Sequence, residues 1–193
     1  MAVVLRELEP ADFTAVIELN NDAVPAVPMV DDDELALLTE YASLAVVAVD
    51  EQDLGRPLGF VLAMDPGHDY ASENYRWFSQ RSDDFLYVDR IVIGGEVRGV
   101  GLGRRLYGAV FAKAQDDGRR EVTCEVNVRP PNPRSMGFHA SLGFERVGEQ
   151  ATKGGTTVVA LLAAQVVREA DEDRGVEEEE EGMHAEEAGL SSR

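Results

Sequence analysis

One stretch limits the folds open to this chain more than any other: FLYVDRIVIGGEVRGVGLGRRLYGAVFAKAQ, residues 85–115. Phe85 to Ile93 is almost wholly β-branched or aromatic, interrupted only by Asp89 and Arg90, and predicts a strand. Gly94 and Gly95 end it. Leu106, Val110 and Ala114 then recur at helical spacing. Between strand and helix stand Arg98, Gly99, Val100, Gly101, Leu102, Gly103 and Arg104. Glycines at 99, 101 and 103 remove alternate side chains, so backbone N–H groups can approach a ligand closely. The helix start aims its positive dipole end and its free amides at the same place, and Arg98, Arg104 and Arg105 add charge. The stretch predicts an anion cradle for phosphate or pyrophosphate.

The cradle departs from two common nucleotide motifs. It has no Gly-Lys-Ser/Thr, which excludes a P-loop. A dinucleotide fingerprint would need glycine where Arg104 stands, and an acid after the next strand for the ribose.

Charge narrows the partners. The 193 residues carry a net −19, and segment 168–193, with eleven acids and three bases, holds −8 of it. The remaining −11 argues against nucleic acid and anionic membrane surfaces. It is compatible with a cationic or amine substrate, though such acidity is also a common solubility or halotolerance trait. Cys124, the single cysteine, excludes an internal disulfide and sits in an apolar run as a buried thiol. The opening MAVVLRELEPAD has no basic region before a long apolar one, so a signal peptide is not expected. No apolar run approaches membrane-spanning length, and a cytoplasmic location is expected.

The remaining elements follow from local signals. Ala2–Glu7 predicts a strand, and Pro10 opens a helix with Phe13, Val16, Ile17 and Asn20 on one face. Pro25 and Pro28 break it, and Asp31–Glu34 caps a second helix through Tyr41. Leu44–Val49 and Pro57–Met64 predict a hairpin around Asp50–Gly55. Asp65–Asp84 is long for a connector, and its Tyr70, Tyr75, Trp77 and Phe78 argue against disorder. Two readings stand: a substrate-side loop or lid that uses Tyr75 and Trp77, or a loop that plugs its aromatics into the core or a dimer contact. Gly118 ends the central helix, Glu121–Val128 predicts a strand, and Asn132 caps a helix with Pro133 at its first position. Phe144–Glu149 and Thr156–Ala163 close with a hairpin. The domain is expected to span residues 1–166, followed by a disordered acidic tail, 167–193.

Arg98-x-x-Gly101-x-Gly103 between a strand and a helix resembles the acetyl-CoA pyrophosphate loop of the GNAT N-acetyltransferases. Asn132-Pro-Arg-Ser135-Met-Gly-Phe138-His139-Ala-Ser-Leu142-Gly143-Phe144 is similar to that family's second motif, Asn-x-x-Ala/Ser-x-x-Phe/Leu-Tyr-x-x-x-Gly-Phe. Together they span residues 85–149. NYRWF, FLYVDRIV and CEVNVRPPNPRS look like an uncharacterised bacterial subgroup known as predicted acetyltransferases. The resemblance implies an α/β (α+β) fold: a mixed, mostly antiparallel sheet of six to seven strands, splayed at the cofactor site and flanked by about four helices. It also implies direct acetyl transfer from acetyl-CoA to a primary amine, expected to be a small molecule. A protein or peptide acetyltransferase and a non-catalytic acyl-CoA-binding module are the alternatives. No metal is implied, and the chain is expected to be a monomer or homodimer.

By the same resemblance, Arg98 to Arg104 hold the pyrophosphate, Ile91, Val92 and Ile93 offer backbone amides to the thioester, and Asn132 and Ser135 complete the cofactor side. His139 stands where the family usually has a tyrosine acid, and two readings stay open: an imidazole that donates to the CoA sulfur, or a helix histidine that packs on the cofactor. Bases in the family are often glutamates on the central strand or the next one. An isolated acid in an apolar strand is unfavourable unless paired, which singles out Glu125 and Asp89; a water relay using neither is the third possibility. Tyr87 shares a strand face with Asp89, and Asn127 shares one with Glu125, which makes both candidates for substrate contact.

Because the tail reads as a solvated appendage, deleting residues 168–193 is expected to leave melting temperature and activity nearly unchanged. A large loss of either would show that the tail docks.

Overall fold

The computed structural model of the protein describes residues 2–167, so the acidic tail expected beyond them lies outside the described residues. The apolar runs form seven strands: β1 (Val3–Glu7), β2 (Ala42–Asp50), β3 (Asp53–Met64), β4 (Phe85–Ile93), β5 (Glu121–Arg129), β6 (Glu145–Thr152) and β7 (Thr157–Gln165). They form one sheet in the order β1-β2-β3-β4-β5-β7-β6. Every neighbouring pair is antiparallel except β4 and β5, which run parallel and pair only from Phe85↔Glu121 to Tyr87↔Thr123. Beyond Tyr87 the two strands part. The sheet is therefore open along one side of β4 from Val88 to Ile93, as expected of a splayed sheet.

Helices cover both faces. α1 (Phe13–Asp22) follows a 3-10 turn at Pro10–Asp12, and α2 (Asp32–Tyr41) starts at Asp31, whose side chain accepts a hydrogen bond from the Glu34 amide. α3 (Glu73–Arg81), α4 (Leu102–Asp116) and α5 (Pro133–Ala140) complete the set. One apolar core lies between the sheet and α4, and includes Leu86, Val88, Leu106, Tyr107 and Val110. The other lies under α1, α2 and α3, and includes Val16, Leu38, Phe60, Phe78 and Tyr87.

Among the described residues there are five α-helices where about four were expected, and α3 accounts for the difference. Ser72 caps it by accepting from the Tyr75 amide, and Tyr75 and Phe78, one turn apart, are 1 % and 0 % exposed. Trp77 packs its ring edge on β6, where a side chain at Gly148 would come within 2.7 Å of Trp77 Cζ2. Of the two readings of residues 65–84, this geometry matches the one in which the aromatics enter the core.

The register of β3 on β4 carries a detail that local sequence does not reveal. Leu62 pairs with Arg90, but its neighbour Ala63 pairs with Val88, so Asp89 is an extra residue in β4. Such a bulge advances the pleat by one position. Phe85 and Tyr87 face the helix α1–α3 side, Leu86 and Val88 the α4 side, and after the bulge Val92 faces the former and Ile91 and Ile93 the latter. Asp89 and Arg90 consequently fall on the same face although they are adjacent.

Phe78 joins α3 to the sheet with no solvent exposure. Phe78→Ala should destabilise the protein by about 3–5 kcal/mol in urea denaturation; a loss below about 1 kcal/mol would contradict this packing.

Candidate active site

The cradle begins where β4 ends. A 3-10 turn at Gly95–Val97 leads to Gly99 and Gly101, with φ of 88° and 85°, and Gly101 is the N-cap of α4. A Cβ at either glycine would meet nothing within 4 Å, so conformation rather than space requires glycine there. Gly103 is different. A Cβ on it would lie 2.9 Å from Phe138 Cζ and 3.1 Å from Ile93 Cδ1, so this glycine lets α5 close against α4 and β4.

A cleft of about 550 Å³ opens in front of this turn. Ile91, Val92, Ile93, Arg98, Gly99, Gly101, Leu102, Gly103, Arg104, Asn132, Ser135 and His139 all line it. Val100 does not; its side chain is 62 % exposed. Arg105 is exposed and also lies outside the lining, whereas Arg134, which the sequence reading did not single out, is part of it. Arg104 is positioned by a 2.8 Å hydrogen bond to Ser141 Oγ. The donor set suits a polyanion: two arginines at the mouth of a helix whose first amides are free.

A second cavity, about 190 Å³, adjoins the first and shares Asn132, Ser135 and His139 with it. It occupies the gap where β4 and β5 diverge. Asp89, Glu125 and Asn127 line it, together with Asn74 and Lys153, neither of which the sequence brought forward. Segment 25–28, between α1 and α2, crosses its top. Asn127 Nδ2 donates to the Pro25 carbonyl at 3.2 Å, and Asn20 Nδ2 donates to the Pro28 carbonyl at 2.8 Å.

Tyr75, Trp77 and Tyr87, expected to touch substrate, do not line either cavity. Tyr87 stands behind Glu125, Tyr75 packs against Tyr70 and Tyr87, and Trp77 lies on β6. Tyr75 is fixed by donating to the Asp65 carbonyl at 2.7 Å and accepting from the His68 amide at 3.0 Å. Tyr87 donates its hydroxyl proton to Glu125 Oε2 at 2.8 Å. It holds the carboxylate rather than a ligand.

Both acids are individually anchored. Asp89 accepts from the Tyr70 hydroxyl at 2.7 Å and from Arg90 Nε at 2.8 Å, with the Asp89 and Arg90 side chains 5 % and 2 % exposed. Arg90 also donates through Nη1 to Asn20 Oδ1 at 3.1 Å. The bulge is what permits the ion pair. Among the described residues no cation forms a salt bridge with Glu125, although the charge of Arg90 reaches it. Burial, and then the negative charge of Asp89, push its pKa up to about 7, against the opposing hydrogen bonds of Tyr87 and Asn74. Burial and the Asp89 carboxylate likewise raise the Tyr70 hydroxyl, which keeps it a neutral donor.

His139 is 4 % exposed, and both its ring nitrogens are engaged. Nδ1 lies 2.8 Å from the Ser135 carbonyl, which can only accept, so Nδ1 carries the proton. Nε2 then accepts from the Tyr107 hydroxyl at 2.7 Å. Burial lowers the imidazole pKa, so the ring is neutral. The acid role expected of His139 needs a free N–H toward the cleft, and this hydrogen-bond pattern leaves none. Cys124 is buried and its thiol pKa is raised by burial, which makes it inert. No cluster of metal-ligating side chains occurs among the described residues.

Comparison with known proteins bears on the whole arrangement. The model of the acetyltransferase (GNAT) family matches residues 5–144. No curated protein sequence matches the chain. Among solved structures, Ard1 from Thermoplasma volcanium superposes with a TM-score of 0.69 at 15% identity, covering 87% of this chain and 100% of that one. The ribosomal-protein-S18-alanine N-acetyltransferase from Escherichia coli gives 0.65 at 15% identity, with 86% and 96% covered. A phosphinothricin acetyltransferase from Sinorhizobium meliloti, solved with acetyl-CoA, gives 0.63 at 24% identity, with 86% and 89% covered. At these identities the likeness is one of fold.

The raised pKa of Glu125 has a consequence for stability. Between its ordinary value of 4.5 and about 7 the native carboxyl stays protonated while the unfolded one ionises. The native state then binds more protons, so this residue's contribution to stability falls as pH rises through that window. Urea denaturation of wild type against Glu125→Gln should show the difference growing from pH 4.5 to about 7 and flat above it; a pH-independent difference would contradict the assignment.

Proposed function

The chain belongs to the acetyltransferase (GNAT) family, and from that premise we propose that it moves an acetyl group from acetyl-CoA to the primary amine of a small molecule, with Glu125 as general base. One observation carries this reading. Glu125, in no salt bridge among the described residues and raised in pKa, lines a small cavity that shares its lining with the anion cradle.

The cradle fits the group it would hold. Arg98, Arg104 and the first amides of α4 supply positive potential for the pyrophosphate, and the open glycines at 99 and 101 allow backbone approach. Acetyl-CoA, when bound, supplies an acetyl thioester whose carbonyl carbon is open to attack. The unpaired edge of β4, at Ile91 to Ile93, provides backbone amides that can donate to the carbonyl oxygen and stabilise charge developing on it.

The acids divide the labour. Both oxygens of Asp89 are committed, to Tyr70 and Arg90, so it serves as a fixed negative charge that attracts an ammonium and raises Glu125. Glu125 keeps one carboxylate oxygen clear of Tyr87 and titrates at about 7, suited to taking a proton at neutral pH. Tyr87 and Asn74 orient it. His139 and Tyr107 form a neutral pair that shapes the junction between the cavities.

The size of the second cavity, about 190 Å³, and the segment 25–28 pinned across it favour a small amine over a protein substrate. Residues 1–166 form the acetyltransferase domain in this reading.

CoA release from acetyl-CoA across a panel of primary amines tests it. Glu125→Gln should lower kcat/KM at least about 100-fold, and wild-type kcat/KM should rise with pH and level off above about 7. Tight acetyl-CoA binding with no turnover of any amine would instead identify a binding module. Gly101→Val places a β-branched residue at φ 85°, and should weaken CoA binding at least 10-fold by calorimetry while circular dichroism stays native. Retained affinity would overturn the cradle assignment.

A further inference from the structure

The acceptor cavity has one cationic residue on its lining that the catalytic scheme leaves unused, Lys153, which is exposed at its rim. Arg90 and Lys153 both line it, but Arg90 is occupied by Asp89 and Asn20. The Lys153 ammonium has no hydrogen-bond or ion-pair partner among the described residues. Its backbone conformation is unusual as well. Lys153 has φ 51°, and is the non-glycine residue with positive φ among those described. Gly154 and Gly155 follow it at 65° and 86°. Left-handed backbone is unfavourable for an L-residue, a strain that glycine avoids. A turn built on glycines therefore keeps a lysine at the one strained position that lines the cavity, and unusual backbone of this kind concentrates at ligand sites.

The turn is also fixed in place. The Lys153 amide donates to Glu73 Oε2 at 3.1 Å, in the first turn of α3, the turn that also presents Asn74 to Glu125. One helix end thus positions the base and the turn bearing the cation. Lys153, at the exposed turn between β6 and β7, and the two acids, at the β4–β5 gap, line the same cavity, so its two ends differ in charge.

We infer that the acceptor carries a carboxylate as well as its amine, and that Lys153 pairs with that carboxylate: the substrate is a free amino acid or a close relative. The inference rests on the acetyl-transfer reading above. A single point-like ammonium suits one monoanion, whereas phosphate sites gather several donors or an arginine fork. Without Lys153 the cavity would repel a carboxylate, since its other uncompensated charge is Glu125.

The test uses the full chain with acetyl-CoA, the twenty common L-amino acids, and the amide of each. At least one free amino acid should show kcat/KM at least 10-fold above that of its own amide. Lys153→Gly removes the ammonium without straining the turn, because glycine accepts φ 51° freely. In that variant the acid-to-amide ratio should collapse to about one through a rise in KM for the free acid, and Lys153→Arg should restore most of the preference. Equal or better turnover of the amides by wild type, a ratio that survives Lys153→Gly, or no turnover of any free amino acid would overturn the inference. Glu125→Gln separates this from the parent reading. If Glu125 is not the base, that variant retains turnover of acids and amides alike. If only the carboxylate inference fails, Glu125→Gln is inactive while wild type does not discriminate.

Discussion

The ion pair between Asp89 and Arg90 is the contact on which the site depends. Neighbouring residues of a regular strand point to opposite faces, and in such a strand one of these charges would enter the α4 core unpaired. The extra residue that β4 carries opposite Leu62 and Ala63 turns both to one face, where they pair at 2.8 Å. Breaking a buried pair of this kind costs about 3–5 kcal/mol, so the bulge is held in place by the charges it aligns. Arg90 passes the constraint on to Asn20, and Asn20 to the Pro28 carbonyl, which ties the segment over the smaller cavity to the same bulge.

The electrostatics of the site follow from that placement. A partly buried carboxylate with no cation would by itself be raised in pKa, and a second, permanently compensated carboxylate on the neighbouring strand raises it further. Asp89 fills that role because Arg90 and Tyr70 hold both its oxygens. Glu125 is left as the group whose proton is exchangeable near neutrality. The arrangement places two acids of similar chemistry in different surroundings, one paired with a cation and one raised in pKa by burial and by its neighbour. It also explains why β4 and β5 part after Tyr87: the divergence makes room for both carboxyl groups and leaves the amides of β4 open on the cradle side.

Much of this was legible in the chain, for local reasons. Phe85–Ile93 and the Asn132–Pro133 helix start were readable because strand propensity and capping act over a few residues. The cradle was readable because alternate glycines beside arginines have few other uses. Helix α3 was not, since its buried residues are two aromatics in a polar frame that reads as loop. The bulge depends on register against β3, which no single strand encodes. The partners of His139 come from the preceding turn of its own helix and, through Tyr107, from α4, so its lack of a free N–H emerged only in three dimensions. Tyr87 was placed on the correct face by the period of two, but depth along that face decides whether it meets a ligand or a carboxylate. Lys153, a charged residue in a glycine-rich turn, looked like ordinary surface until the turn was seen to line the cavity.

Site-resolved titration of the Glu125 side-chain carboxyl by carbon NMR, assigned with Glu125→Gln and repeated in Asp89→Asn, tests the central claim that a fixed aspartate tunes a neighbouring glutamate to act as base. The account predicts a midpoint at about 7 in the wild type, and a clear downward shift when the charge of Asp89 is removed. A midpoint near the ordinary glutamate value of 4.5, unmoved by Asp89→Asn, would contradict it.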